Sequence, residues 1–137
     1  MASRLFIDAN VLLDLTLKRP GFEEVKKMFE KALLGELLLF TSTSVLHITG
    51  YWLTKAYGIK IAKKILLSLL KEVTVVDCSH EVGVMAIHSQ FDDIEDALQY
   101  YTALHHNLSF FISGDRGLKK FALPQLPVIG VRELMMM

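Results

Sequence analysis

The sequence predicts an α/β fold with a parallel sheet, on two observations. Its apolar residues switch repeatedly between short continuous runs and a helical spacing of three and four. The short runs, Arg4–Ile7, Leu37–Phe40, Val73–Val76, Ser109–Ile112 and Val128–Ile129, are each four residues or fewer and each need both faces buried, as in a parallel sheet.

Helical patterns lie between these runs. Residues 21–34 carry Phe22, Val25, Phe29 and Leu33 at spacings of three and four, with Glu23, Glu24, Lys26 and Lys27 on the other side, and Gly35 reads as the stop. Residues 43–56 and 59–71 predict a helical hairpin broken at Gly58, and residues 80–90 and 94–106 predict two more helices. Pro124 and Pro127 bracket a loop before the last strand. No internal repeat, low-complexity linker or composition break divides residues 1–137, so one domain is expected, with the methionines at 135–137 as a frayed end.

Bulk properties narrow the function. At 52% hydrophobic and 22% charged residues, the chain is too apolar for disorder and large enough for a real core. Apolar runs such as LLLF (37–40) fall far short of the ~18 residues that span a bilayer, and MASRLFIDAN lacks a secretory core. A soluble, cytoplasmic protein without membrane contact is expected. The single cysteine, Cys78, excludes an internal disulfide and argues against a thiolate metal site. Fifteen basic and fifteen acidic residues cancel, so any nucleic-acid contact has to be local.

In an open parallel sheet, ligands bind beyond the carboxyl ends of the strands. Two of those exits carry an acid. Asp8 stands directly behind Leu5, Phe6 and Ile7, where a lone carboxylate is costly to desolvate unless it meets a cation or donors. Gly114-Asp115 follows FFIS, the glycine expected to let the backbone turn sharply. A third acidic feature is FDDIEDALQYY (91–101). There Ile94, Leu98 and Tyr101 mark one helical face, while Asp93 and Asp96, three apart, share another.

Each acid also has an ordinary reading. Asp8 suits the cap of a helix beginning near Asn10, Asp92 or Asp93 the cap of the 94–106 helix, Asp115 the cap of a short helix leading to Phe121, and Asp96 a solvated surface charge. Taken together they point further, because carboxylates at two strand exits and one adjacent helix converge and repel unless a hard cation neutralises them. Mg²⁺ or Mn²⁺ answers that need, and hydrolysis of nucleic acid is the natural chemistry of such an all-oxygen site.

These residues resemble the PIN domain family, and within it the VapC-type toxins of toxin–antitoxin pairs. FIDANVLLDL resembles the family's opening motif, DIEDALQYYTAL its central D-x-x-D-A motif, and FFISGDRGLKKF its closing strand and aspartate. The resemblance covers essentially the whole chain. It implies a three-layer α/β/α fold with a central parallel sheet of four to five short strands, and metal-dependent endoribonuclease activity on RNA. It carries the catalytic and metal-site acids onto Asp8, Asp96 and Asp115, with Asp93 as a candidate fourth ligand, and makes Asn10 and Ser113 supporting or substrate contacts. A homodimer and an inhibitory antitoxin partner are also implied by resemblance alone.

One departure stands out. The family places a Glu in the helix after the second strand, and TSTSVLHITGYWLTK (41–55) has no acid. His47, Ile48 or Thr49 occupies the expected place, which makes His47 a candidate replacement ligand, although a lone His on an apolar helix is more often packed or at a dimer face. The competing expectation is therefore a catalytically degenerate PIN-like domain that binds nucleic acid or protein without turnover. Lys18-Arg19 and Arg116 are best placed by sequence to meet a phosphate, whereas Lys60, Lys63 and Lys64 read as solvated surface. Tyr51 and Trp52 read as core or dimer interface, and His80, His105 and His106 as structural.

Overall fold

The five apolar runs pair into one all-parallel sheet in the computed structural model, which describes residues 2–137. The strands are β1 (Ser3–Ile7), β2 (Leu37–Ser42), β3 (Val73–Val76), β4 (Phe110–Ile112) and β5 (Val128–Ile129), in spatial order β3-β2-β1-β4-β5. β1 and β2 are longer than the apolar runs suggest, at five and six residues. β2 continues through Thr41 and Ser42 because the Thr41 hydroxyl donates to Ile7 O of β1 (2.9 Å) and Ser42 Oγ accepts from Val45 N (3.2 Å), so both polar side chains are buried with partners.

Among the described residues, eight helices connect and cover the strands: α1 (Ala9–Thr16), α2 (Phe22–Leu33), α3 (Thr43–Tyr57), α4 (Ile59–Leu69), α5 (His80–His88), α6 (Ile94–His105), α7 (Arg116–Lys120) and α8 (Val131–Met135). α1 packs on α2 and α3, and α3 on α4, while α5 packs on α6. With helices on both faces of the sheet, the architecture is the expected three-layer α/β/α. No helix among the described residues is long and apolar enough to cross a membrane.

Turn chemistry explains the boundaries. Gly35 (φ 79°) ends α2, its N–H donating to Ala32 O at 3.0 Å while Glu36 N–H reaches Lys31 O at 3.0 Å. Gly58 (φ 84°) separates α3 from α4, as the hairpin reading expects. Two helical faces are rotated from their expected positions. α2 turns Val25, Met28, Phe29 and Ala32 inward and leaves Leu33 to solvent, and α6 buries Ala97, Tyr100 and Ala103 while Ile94 is exposed. On α6, Ala97 and Ala103 let the helix approach the sheet more closely than large side chains at those positions would allow. At the C-terminus, Leu134 is buried and Met135 completes α8, so only Met136 and Met137 stand free of the helix.

The core centres on the sheet's middle. Phe6 of β1 stacks on Phe111 of β4 with ring centroids 4.7 Å apart, and Tyr100 of α6 lies against Phe111. Each such fully buried side chain contributes roughly 1.5–3 kcal/mol. They fix β1 beside β4 and so determine what meets at the ends of those strands.

Candidate active site

After β1 the chain departs to one side through β2 and β3, then returns to place β4 on the other side of β1. A crevice opens beyond the carboxyl ends where the two directions diverge. Asp8 and Ser113, each the first residue past its strand, meet there: Ser113 Oγ donates to Asp8 Oδ2 at 2.8 Å. Asp8 Oδ1 accepts from Ala9 N at 2.7 Å, so it caps α1 with one oxygen and holds Ser113 with the other. It is 7% exposed.

Asp115 caps α7, accepting from Gly117 N at 2.8 Å, and its own N–H donates to Ser113 Oγ at 3.1 Å. Ser113 thus joins the two aspartates through one hydroxyl. Asp93 caps α6 by accepting from Asp96 N at 2.9 Å. Of the four sequence-picked acids, only Asp96 caps nothing. The capping readings and the clustering are therefore both true, since the N-termini of α1, α6 and α7 all carry an Asp. A helix N-terminus tolerates a carboxylate because its free N–H groups and dipole favour negative charge.

The charges act on one another across these elements. Burial raises the Asp96 carboxyl to about 7, and the negative charges of Asp93, Asp115, Asp8 and Glu95 push it the same way. Asp8 is raised by its own burial, against the lowering effect of the Ser113 and Ala9 hydrogen bonds, with Asp115 adding to the rise. Glu95 is raised by burial and then by Asp93 and Asp8. No lysine or arginine offsets any of these three acids. Asp8, Asp96 and Asp115 stand at the same end of the sheet and couple electrostatically. Among the described residues, however, no three His, Cys, Asp or Glu side chains are already gathered as a metal-ligand group, and Asp93 and Asp115 each commit one oxygen to the backbone they cap. As a donor set, five oxygen acids fit a hard divalent ion.

Glu95 was not found by sequence reasoning. Its signal was the acid run IED at a helix start, passed over because Asp93 and Asp96 alone satisfied the spacing argument. Other candidates lie elsewhere. His47 is exposed and lines the groove between α3 and α4 with Tyr51, Lys55, Ile59 and Lys63, with no acid among its neighbours there. Ile48 packs against the main core and Thr49 is buried, its hydroxyl donating to Val45 O at 2.8 Å, so α3 brings no carboxylate. Tyr51 and Trp52 are half-exposed, and Lys55 lies over both rings; they are surface rather than core. Asn10 is exposed on α1, where Arg19 Nη2 donates to its backbone O at 2.9 Å and Arg19 Nε to Asp14 at 2.9 Å. Arg19 is thereby tied to α1, while Arg116 is exposed at the start of α7. Gly114 makes its turn without left-handed backbone, and a Cβ added there meets nothing within 4 Å, which corrects the expected need for glycine.

The sequence model described as PIN domain matches residues 4–117. The chain belongs to the PIN domain family. Among curated proteins it is similar to Ribonuclease VapC1 of Aquifex aeolicus (strain VF5), 26% identical over 141 residues, which cover 96% of this chain and 93% of the relative. Among solved structures this PIN domain is similar to VapBC2 from Rickettsia felis bound to a DNA fragment from their promoter, with a TM-score of 0.74, 15% identity, and coverage of 93% of this chain and 98% of the other. It also superposes on Mycobacterium tuberculosis VapC20, a Sarcin-Ricin loop cleaving toxin, with a TM-score of 0.68, 14% identity, and 88% and 97% coverage. PAE2754 from Pyrobaculum aerophilum gives a TM-score of 0.63, 20% identity, and 99% and 96% coverage. These likenesses establish the PIN fold for the chain.

Proposed function

We propose that this PIN domain is a divalent-metal-dependent endoribonuclease, the toxin of a toxin–antitoxin pair acting in the cytoplasm. The observation that carries the reading is the repulsion among Asp8, Asp96 and Asp115 at the β1/β4 crevice, which no cationic side chain offsets at Asp8 or Asp96. Asp8, Asp96 and Asp115 would hold Mg²⁺ or Mn²⁺, with Asp93 and Glu95 as further oxygen donors. A bound divalent ion supplies a Lewis acid for the phosphate and a water of lowered pKa. Ser113 and the Ala9 N–H fix the Asp8 carboxylate in place, as a site built on strand ends requires. Asp96, with its carboxyl raised to about 7, holds a proton near neutrality until a cation displaces it. Arg116 and Asn10, both exposed at helix starts flanking the crevice, serve the RNA phosphate and the substrate chain.

Exposed apolar side chains supply contact surfaces for a second copy and an antitoxin. Tyr51, Trp52, Ile59 and Ile61 lie on α3 and α4, and Val84, Met85 and Ile87 on α5. The mass of the purified protein by light scattering, alone and co-expressed with the product of a small adjacent reading frame, tests both partners.

The activity test uses a mixed single-stranded RNA pool. The expected result is slow cleavage with Mn²⁺ or Mg²⁺ that stops with EDTA and is absent in Asp96→Asn. A second reading rests on α3, which brings no carboxylate where His47, Ile48 and Thr49 stand: the domain keeps an acidic pocket and binds without turnover. Binding of Mn²⁺ without cleavage of any RNA in the pool would select that reading.

A further inference from the structure

Beside the acidic crevice, a separate cavity of about 470 Å³ opens between the ends of β2 and β3 and the flank of α6. Its lining includes Ser42, Ser44, Asp77, Leu98, Gln99 and Thr102. Gln99 is 1% exposed, and its Oε1 is buried with no hydrogen-bond partner, the only such side-chain atom among the described residues. A buried amide oxygen without a donor is destabilising, and native structures rarely keep one without a use. Gln99 sits among Ala97, Tyr100 and Ala103 on the buried face of α6, where an apolar side chain would satisfy the fold. Its neighbour Thr102 has its hydroxyl committed, donating to Leu98 O at 2.7 Å, and Ser42 Oγ accepts from Val45 N. Gln99 has no such commitment.

We infer that this cavity is a nucleobase pocket, in which the Gln99 carboxamide and the Asp77 carboxylate read an RNA base bearing an exocyclic amino group next to the cleaved phosphate. No lysine or arginine lines the cavity, which argues against a phosphate there, and no aromatic ring lines it, so recognition is by the base edge rather than by stacking. Any base can meet a carboxamide's one donor and one acceptor, uracil included, but only an exocyclic amino group carries two N–H on one nitrogen, the first for the unpartnered Gln99 Oε1. Asp77 adds a second acceptor, which uracil, with a single N–H on its pairing edge, leaves unmatched. The cavity lies beside the crevice because Asp96 and Gln99, three apart on α6, are neighbours along one helical flank. The assignment to a substrate base rests on the ribonuclease reading, whereas selective binding of a base does not.

The test measures binding of fluorescently labelled octamers of adenylate, cytidylate and uridylate to the Asp96→Asn protein, with and without Gln99→Met. Met matches Gln in length and suits a helix interior. The Gln99-containing protein is expected to bind the adenylate or cytidylate octamer at least about fivefold more tightly than the uridylate one, the lower end of what one matched amide pair supplies. Gln99→Met should remove that preference while leaving the melting temperature equal or higher, because no protein hydrogen bond is lost. Equal affinity for all three octamers, or a preference unchanged by Gln99→Met, overturns the proposal, and a marked drop in melting temperature assigns Gln99 a structural role instead. Base-selective binding by a protein that cleaves no RNA leaves this pocket standing and removes the ribonuclease reading alone.

Discussion

The Ser113 hydroxyl donates to the Asp8 carboxylate at 2.8 Å, bridging two residues 105 apart in sequence across the centre of the sheet. The bond stabilises the ionised form of a carboxylate that burial otherwise pushes toward protonation. Ser113→Ala should therefore lower stability by about 1–3 kcal/mol at pH 8 and by less at pH 4, because falling pH favours the protonated Asp8 that burial already promotes. Urea unfolding at the two pH values measures this. An equal loss at both would assign the contribution of Ser113 to packing and to the hydrogen bond it accepts from Asp115 N–H, not to the charge on Asp8.

Asp96 makes a pH prediction. Its folded pKa is about 7 against an ordinary 3.8. Below the lower value both states carry the proton, and the group's contribution to stability is fully present. Between about 3.8 and 7 the folded protein binds more protons than the unfolded chain, so that contribution is lost as pH rises. Asp8 and Glu95 shift in the same direction and add to the slope. The melting temperature should fall from pH 4.5 to pH 7.5 at constant ionic strength, and Asp96→Asn should flatten that fall.

If these acids hold a divalent cation, millimolar Mn²⁺ should raise the melting temperature more at pH 7.5 than at pH 5, since the cation competes with the proton for the same oxygens. Glu95→Gln separates Glu95 from its neighbours: the cation-induced shift should shrink but persist, whereas Asp96→Asn should abolish it. A Glu95→Gln protein with an undiminished shift would place Glu95 outside the donor set.

Much of this architecture was legible in the sequence because the apolar runs are short and bounded. β3 and β5 lie where their runs predict, and Gly35 and Gly58 stop their helices as read. Side-chain faces were harder. On α6 the largest apolar residues do not define the buried side, since Ala97 and Ala103 pack against the sheet while Ile94 faces solvent. The acids were legible as a group because strand exits are few, yet whether each capped a helix or faced the crevice was not an either-or question, as Asp8 does both. Glu95 and Gln99 were missed for a common reason. Their importance lies in what surrounds them in space: Asp8, delivered from the end of β1, for Glu95, and the lack of any donor for Gln99.

Tyr100 tests the packing behind the site. Its buried hydroxyl donates to Leu126 O at 2.7 Å and accepts from Leu123 N at 2.7 Å, tying α6 to the loop that delivers β5. Tyr100→Phe keeps the ring against Phe111 and leaves both backbone groups short of a partner, so a loss of about 1–3 kcal/mol is expected in chemical denaturation. Hydrogen exchange at Leu123 should accelerate in the same variant.

Asp8→Asn sets function against stability at a single atom. Asn is as good a helix cap as Asp, so its side-chain oxygen can keep the Ala9 N–H, and its amide can donate to the Ser113 hydroxyl where the carboxylate had accepted from it. What disappears is a buried negative charge whose desolvation is the largest influence on Asp8. At pH 8 the variant should unfold at a temperature equal to or a few degrees above that of the unmodified protein, and the difference should shrink as pH falls and Asp8 takes up a proton. RNA cleavage should be lost at every pH, because the neutral amide no longer supplies a charged donor to the cation. A stabilised, inactive Asp8→Asn protein would show that the fold retains this carboxylate against its own interest. If the variant were instead less stable at pH 8 and unchanged at pH 4, the ionised carboxylate would be a structural anchor of α1, and the case for Asp8 as a metal-holding group would rest on cleavage alone.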